Sequence, residues 1–207
     1  MKRIIKRLIL LSLFIIFTIS AQATRAKVFY HGNRLDNKIY LTFDDGYSAK
    51  NTQAILDILK ENPLICKRIA EEQTLANHTF SHTDITKLTD EEFVEDIKKY
   101  EELALKITGK EVTKYFRPPM GIFDEDKLNL LGDMGYTVFM WDVSYYDYVP
   151  DNDKGYDFAL KNLLTKTENG SIILMHTLTK SNVLVLDEAI ELLEKKGYVF
   201  SPLSQLL

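Results

Sequence analysis

Apolar positions recur along this chain in two alternating rhythms, short β-rich runs and longer stretches with helical spacing. Residues 38–43 (KIYLTF) mix β-branched and aromatic side chains and predict a strand. Residues 48–60 predict a helix with Ile55, Leu56 and Leu59 on one face; Pro63 breaks it, 64–72 predicts another, and 73–77 a short strand. The plainest helix spans 89–108. Thr89 and Glu92 form a capping box, Phe93, Ile97, Tyr100, Leu103 and Ile107 follow at helical spacing, and Gly109 stops it. Beyond it the pattern predicts a strand at 115–117, a helix at 124–133, a strand at 137–141, a helix at 156–166 and a strand at 171–175. A helix at 183–196, closed by Gly197, and a strand at 198–200 complete the chain. Strands alternating with helices predict an α/β fold with a mostly parallel sheet or barrel. In such folds the chemistry sits at the C-terminal ends of the strands, so polar candidates should follow predicted strands directly.

The N-terminus follows neither rhythm. Lys2, Arg3, Lys6 and Arg7 form a basic start, residues 8–19 are almost wholly apolar, and Ala21-Gln22-Ala23 is a small-residue exit. This predicts a signal peptide over 1–23, cleaved after Ala23, and hence a secreted or cell-envelope protein. The apolar run is shorter than the roughly 20 residues that span a bilayer; an uncleaved membrane anchor is the alternative. Residues 24–37 read as a polar lead-in and 38–207 as one catalytic domain, expected to be monomeric.

Composition narrows the functional classes. The 207 residues are 45% hydrophobic and 27% charged with a formal net charge of -4, which lacks the basic excess of a nucleic-acid surface. The single cysteine, Cys66, cannot form an internal disulfide, so stability comes from packing. No histidine lies near Cys66 in sequence, and it reads as a small buried residue rather than a nucleophile.

Polar residues do follow the predicted strands. Asp44 and Asp45 come after the first, where one carboxylate can bind a metal while the other works as a base; Gly46 lets the chain turn, and taken alone the segment is also a plain Asp-Gly turn. His78 and His82 follow the next strand, and two imidazoles four residues apart can face one metal. Two histidines and a carboxylate leave an open coordination position, as a catalytic metal requires, and zinc suits that donor set. Arg117-Pro118-Pro119-Met120-Gly121 is a rigid loop that can aim a backbone N–H at an oxyanion, with an arginine able to hold a carboxylate in a fork. Trp141, Tyr145, Tyr146 and Tyr148 suit either sugar stacking or ordinary packing. His176 follows the strand at 171–175 and is a candidate general acid; His31, in the lead-in, has no assigned role.

Taken together, TFDDG at 42–46, HTFSH at 78–82, RPPMG at 117–121, the WD…DY region at 141–148 and LMHT at 174–177 resemble the polysaccharide deacetylase family, carbohydrate esterase family four. From Ile107 onward the text looks closest to the delta-lactam-biosynthetic de-N-acetylases of spore formers, which act on N-acetylmuramic acid in cortex peptidoglycan. The resemblance implies a distorted (β/α) barrel that hydrolyses the N-acetyl groups of a cell-wall glycan. It implies Asp44 as general base, Asp45, His78 and His82 as ligands of a divalent metal, and the Met120 N–H as oxyanion donor. It further implies that Arg117 orients Asp44 and that His176 protonates the leaving amine; Trp141, Tyr146 and Tyr148 are the candidate glycan contacts on the residue pattern alone.

Two departures stand out. Ser144 occupies a position where family members often carry an aspartate supporting the catalytic histidine, leaving Asp142 or Asp147 as substitutes. Between Lys60 and Pro63 an apolar strand with its connections is missing, roughly 20 residues by typical element lengths. An inactive or glycan-binding remnant is therefore the competing expectation.

Overall fold

The computed structural model describes residues 24–45, 74–108 and 111–207. The expected signal peptide, the helices expected at 48–60 and 64–72, Gly46, Cys66, Gly109 and the missing strand near 60–63 lie outside the described residues. Within them the elements are β1 (Val28–Phe29), β2 (Lys38–Asp44), α1 (Asp90–Thr108), β3 (Tyr115–Phe116) and α2 (Glu125–Asp133). Then come β4 (Thr137–Phe139), α3 (Tyr156–Lys166), β5 (Ile172–His176), α4 (Lys180–Lys195) and β6 (Val199–Phe200).

The strands form two three-stranded sheets, ordered β1-β4-β3 and β5-β2-β6, and every ladder is parallel. Val143, just past β4, makes a parallel bridge to Ile173 of β5 and joins the two sheets. Asn77 makes another to Phe116 of β3; of the short strand expected at 73–77, the described residues 74–77 form only this isolated bridge. This is the parallel-stranded α/β architecture the sequence predicts, and it gathers the C-terminal strand ends on one side.

Local chemistry explains the helices. At the start of α1 the Thr89 N–H donates to Glu92 Oε2 at 2.9 Å and the Glu92 N–H to Thr89 Oγ1 at 3.2 Å, the reciprocal capping box. α2 is capped by Asp124, whose carboxylate accepts the Lys127 N–H at 2.8 Å. Phe93 and Ile97 of α1 pack with Phe116, Leu128, Leu131 and Val138 in one core cluster, while β2 and β5 pack against α3 and α4 in another. Each such buried aliphatic or aromatic side chain stabilises by roughly 1.5–3 kcal/mol. The apolar stripe of α1 differs from expectation in its last turns: Leu103 is exposed, and Ala104 is the buried residue.

Two boundaries also differ. The lead-in is part of the domain: Val28 and Phe29 pair with Val138 and Phe139, and Ala26 is buried, its N–H donating to Leu128 O at 3.0 Å. A two-residue strand is too short to show alternation and is defined by its partner. The crossing is close enough that a Cβ on Gly132 would lie 1.3 Å from Thr24 O. α4 starts at Lys180 rather than Val183, because its first turn buries the polar residues Ser181 and Asn182, which an apolar pattern does not register.

Candidate active site

Alternation along β2 sets Thr42 and Asp44 on one face. Arg117, the residue after β3, reaches both. Its Nη1 donates to Asp44 Oδ1 at 2.7 Å, its Nη2 to Thr42 Oγ1 at 2.8 Å and to Met140 O at 3.3 Å, and its Nε to Phe139 O at 3.0 Å. The indole of Trp141 lies 5.7 Å from the guanidinium carbon, so this side chain packs on the arginine. Burial alone would push the Asp44 carboxyl up, but Arg117, His78 and His176 together outweigh it and hold the group below the ordinary carboxylate value. Asp44 is therefore an anion aimed by a fork of donors.

His78 touches the same carboxylate. Its Nδ1 lies 2.7 Å from Arg117 O, and since a carbonyl only accepts, Nδ1 carries the hydrogen and Nε2 the lone pair. That Nε2 sits 3.5 Å from Asp44 Oδ2. Burial lowers the imidazole below its ordinary range by more than Asp44 raises it, so the ring is neutral at neutral pH. The His82 ring stands edge-on to it, with centroids 5.0 Å apart. The loop achieves this with two non-glycine residues in the left-handed region, Thr79 at φ 66° and His82 at φ 55°. Thr79 Oγ1 accepts the His82 N–H at 3.0 Å, and Asn77 Oδ1 accepts the Thr79 N–H at 2.8 Å, which fixes both turns.

The β2–β5 register pairs Asp44 with His176, so the candidate base and acid end adjacent parallel strands. His176 Nδ1 lies 2.8 Å from Asp147 Oδ1, and the His176 N–H donates to Asp147 Oδ2 at 2.8 Å. Of the two aspartates available to replace the one absent at Ser144, Asp147 is the one that does so. Asp142 instead ties strands together, accepting Arg34 Nη2 at 2.6 Å and the Ile172 N–H at 2.7 Å. The Tyr148 ring lies 5.9 Å from the His176 ring and 4.8 Å from that of Tyr146, an aromatic ladder leading away from the histidine, with Tyr148 exposed. Met120 is exposed at φ 57°, in a turn closed by Gly121 N–H to Pro118 O and Ile122 N–H to Pro119 O.

The expected metal set is only partly assembled. His78 and His82 fit as two imidazole donors: their rings lie together, and the His78 Nε2 carries the lone pair that would hold an ion. Asp45, the expected third ligand, is not gathered with them in this structure. The register that sets Asp44 beside His176 carries Asp45 to the level of Thr177, whose Oγ1 donates to Asp45 Oδ1 at 2.7 Å. Among the described residues, no group of three such side chains closes around one point. Sequence reasoning also missed Thr42, Thr177 and Asn182; each is a small polar residue beside a motif, recognisable only once β2 and β5 are in register.

Comparison with known proteins agrees with this geometry. The family model described as polysaccharide deacetylase matches residues 31–65 and 61–139, two stretches that meet where the sequence predicts a missing strand. A peptidoglycan-N-acetylmuramic acid deacetylase, PdaA of Bacillus subtilis (strain 168), is 34% identical over 196 residues, covering 86% of this chain and 74% of that protein. Eighty-six per cent of this chain is fewer residues than the 196 aligned, so that relative carries residues with no counterpart here. A peptidoglycan-N-acetylglucosamine deacetylase of Bacillus cereus is 32% identical over 79% of this chain and 66% of its own length. The solved structure of Bacillus subtilis PdaA, described as a family 4 carbohydrate esterase, superposes with a TM-score of 0.78 over 87% of this chain and 84% of that one. With strand-end chemistry, family model and relatives in agreement, the chain belongs to the polysaccharide deacetylase family.

Proposed function

We propose that this chain is a secreted hydrolase that removes N-acetyl groups from amino sugars of peptidoglycan, with N-acetylmuramic acid as its sugar and delta-lactam formation in spore cortex as its setting. The observation that carries the proposal is the pairing of Asp44 with His176 in one strand register, each held by its own buried partner, Arg117 and Asp147. The relatives support the substrate class, since they are named for acting on muramic acid and glucosamine residues of peptidoglycan.

The chain's own residues divide the work. Asp44, kept anionic by Arg117, accepts a proton from the water that attacks the acetamide carbonyl. The Met120 N–H, at the exposed corner of the Pro119 turn, stabilises the oxyanion of the tetrahedral intermediate. His176 gives its proton to the departing amine, and Asp147 stabilises the charged imidazole beforehand. Tyr148, with Tyr146 behind it, offers a stacking face for a sugar ring next to the histidine, and Trp141 closes the Arg117 side. The family's deacetylases are metal-dependent. Here His78, His82 and Asp45 would hold that ion, zinc suits such a donor set, and when bound it would supply Lewis-acid polarisation of the acetamide carbonyl.

The test is product analysis. Purified protein is incubated with peptidoglycan whose muramic residues lack stem peptides, and the glycans are read by mass spectrometry. Deacetylated muramic acid is the expected product. Deacetylation of glucosamine alone overturns the sugar assignment, and no acetate release from folded protein supports the remnant reading.

A further inference from the structure

We propose that Asn182, in the first turn of α4, is a positioning residue that locks the acid histidine into a single tautomer by clamping Asp147 from behind. The proposal rests on the reading of His176 as the acid. Asn182 is fully buried, and the hydrogen bonds of its amide are directed. Its Nδ2 donates to Asp147 Oδ2 at 2.6 Å and to the carbonyl of His176 itself at 2.7 Å. Its Oδ1 accepts the Tyr145 hydroxyl at 2.7 Å. Burial, reinforced by Asp147 and Asp153, pushes the Tyr145 phenol up, so it stays protonated and donates. A donating phenol fixes which end of the amide is oxygen, and so turns the NH2 toward Asp147.

The geometry closes a ring of three residues. Asp147 Oδ2 is held by two donors, the His176 N–H and Asn182 Nδ2, which leaves Oδ1 facing His176 Nδ1 at 2.8 Å. A carboxylate pinned in this way accepts from Nδ1–H and leaves Nε2 as the nitrogen that takes up a proton, forming the imidazolium, and then gives it to the leaving amine. The charged and titratable groups around His176 are Asp147 from the segment after β4, Asp44 from β2 and Tyr148, with Asp153 further back beside Tyr145. Among the described residues only Asp147 hydrogen-bonds the ring, so the tautomer depends on that carboxylate and on what orients it.

The test uses the whole chain labelled with 15N-histidine, the His176 signals being identified from a His176→Gln variant. Without substrate, the wild-type ring should show one tautomer, protonated at Nδ1. Asn182→Ala should give a mixture of tautomers and lower kcat on the order of ten- to a hundredfold, with KM changed by no more than about twofold. Tyr145→Phe removes only the hydroxyl that orients the amide. It should shift the same signals and kcat in the same direction by less, and it decides the question alone if Asn182→Ala does not fold. Retention of a single Nδ1–H tautomer in both folded variants, or an unchanged kcat, overturns the proposal. The tautomer is read without turnover, so an inactive wild-type protein would defeat the functional reading while leaving this measurement to stand or fall separately.

Discussion

Replacing Arg117 by methionine removes the charge and all four donor contacts while keeping most of the volume. In the native protein the two partners are largely enclosed, with side-chain exposures of 9% for Arg117 and 13% for Asp44. Removing one member of a buried pair leaves the other uncompensated and costs about 3–5 kcal/mol. That is a large share of the roughly 5–15 kcal/mol by which a domain is stable. With a urea dependence of about 2 kcal/mol per molar, the unfolding midpoint should fall by roughly 2 M at neutral pH. The loss should depend on pH with a definite sign. The folded-state value of Asp44 is depressed in the native protein, so its contribution is present above the ordinary aspartate value and is lost as pH falls through the depressed one. In Arg117→Met burial acts without its main counterweight and raises the same carboxyl. Below about pH 3.9 the variant's Asp44 is protonated and its penalty relieved, and once the pH has also fallen through the depressed wild-type value the gap should shrink to about 1–2 kcal/mol of lost neutral hydrogen bonds. Urea melts of both proteins at neutral and acid pH measure this. A gap under about 1 kcal/mol at neutral pH, or one of equal size at both, would refute the reasoning.

Other expectations follow from the same contacts. Asp44→Asn should keep a cooperative fold but lose acetate release by at least about a hundredfold, the usual scale of a general base; a rate within a few-fold of wild type would remove Asp44 from that role. His78→Ala should weaken zinc binding at least about tenfold by isothermal titration, because it removes one of two adjacent imidazoles; unchanged affinity would place the ion elsewhere. Thr89→Ala should cost about 1 kcal/mol in a thermal or urea melt through loss of the α1 cap. Gly132→Ala should cost more than about 3 kcal/mol, since its Cβ would meet Thr24 O at 1.3 Å, and a melt near wild type would show that the lead-in does not cross α2.

The parts legible in the sequence were those with local causes. The α1 cap was readable because Thr89 and Glu92 are three residues apart, and α3 because its apolar spacing is complete within its own residues. The strand-end rule located Asp44, Arg117 and His176 because each directly follows or ends a β-rich run. What escaped depended on register between distant segments. Pairing β2 with β5 sets Asp44 beside His176, and Asp45 accepts the Thr177 hydroxyl; neither contact is encoded in one strand alone. Choosing Asp147 over Asp142 likewise required knowing that Asp142 is already engaged by Arg34 and Ile172. β1 was hidden in the lead-in because Val28 and Phe29 become a strand only against β4.

The central claim is that Asp44 and His176, set side by side by one register, form the hydrolytic centre of an amino-sugar deacetylase. The direct measurement is acetate release from peptidoglycan by the zinc-supplemented full chain, beside Asp44→Asn and His176→Gln proteins shown by melting to be equally folded. The account predicts release by the wild type and almost none by either variant. Release that persists in both variants, or is absent from all three folded proteins, would contradict it.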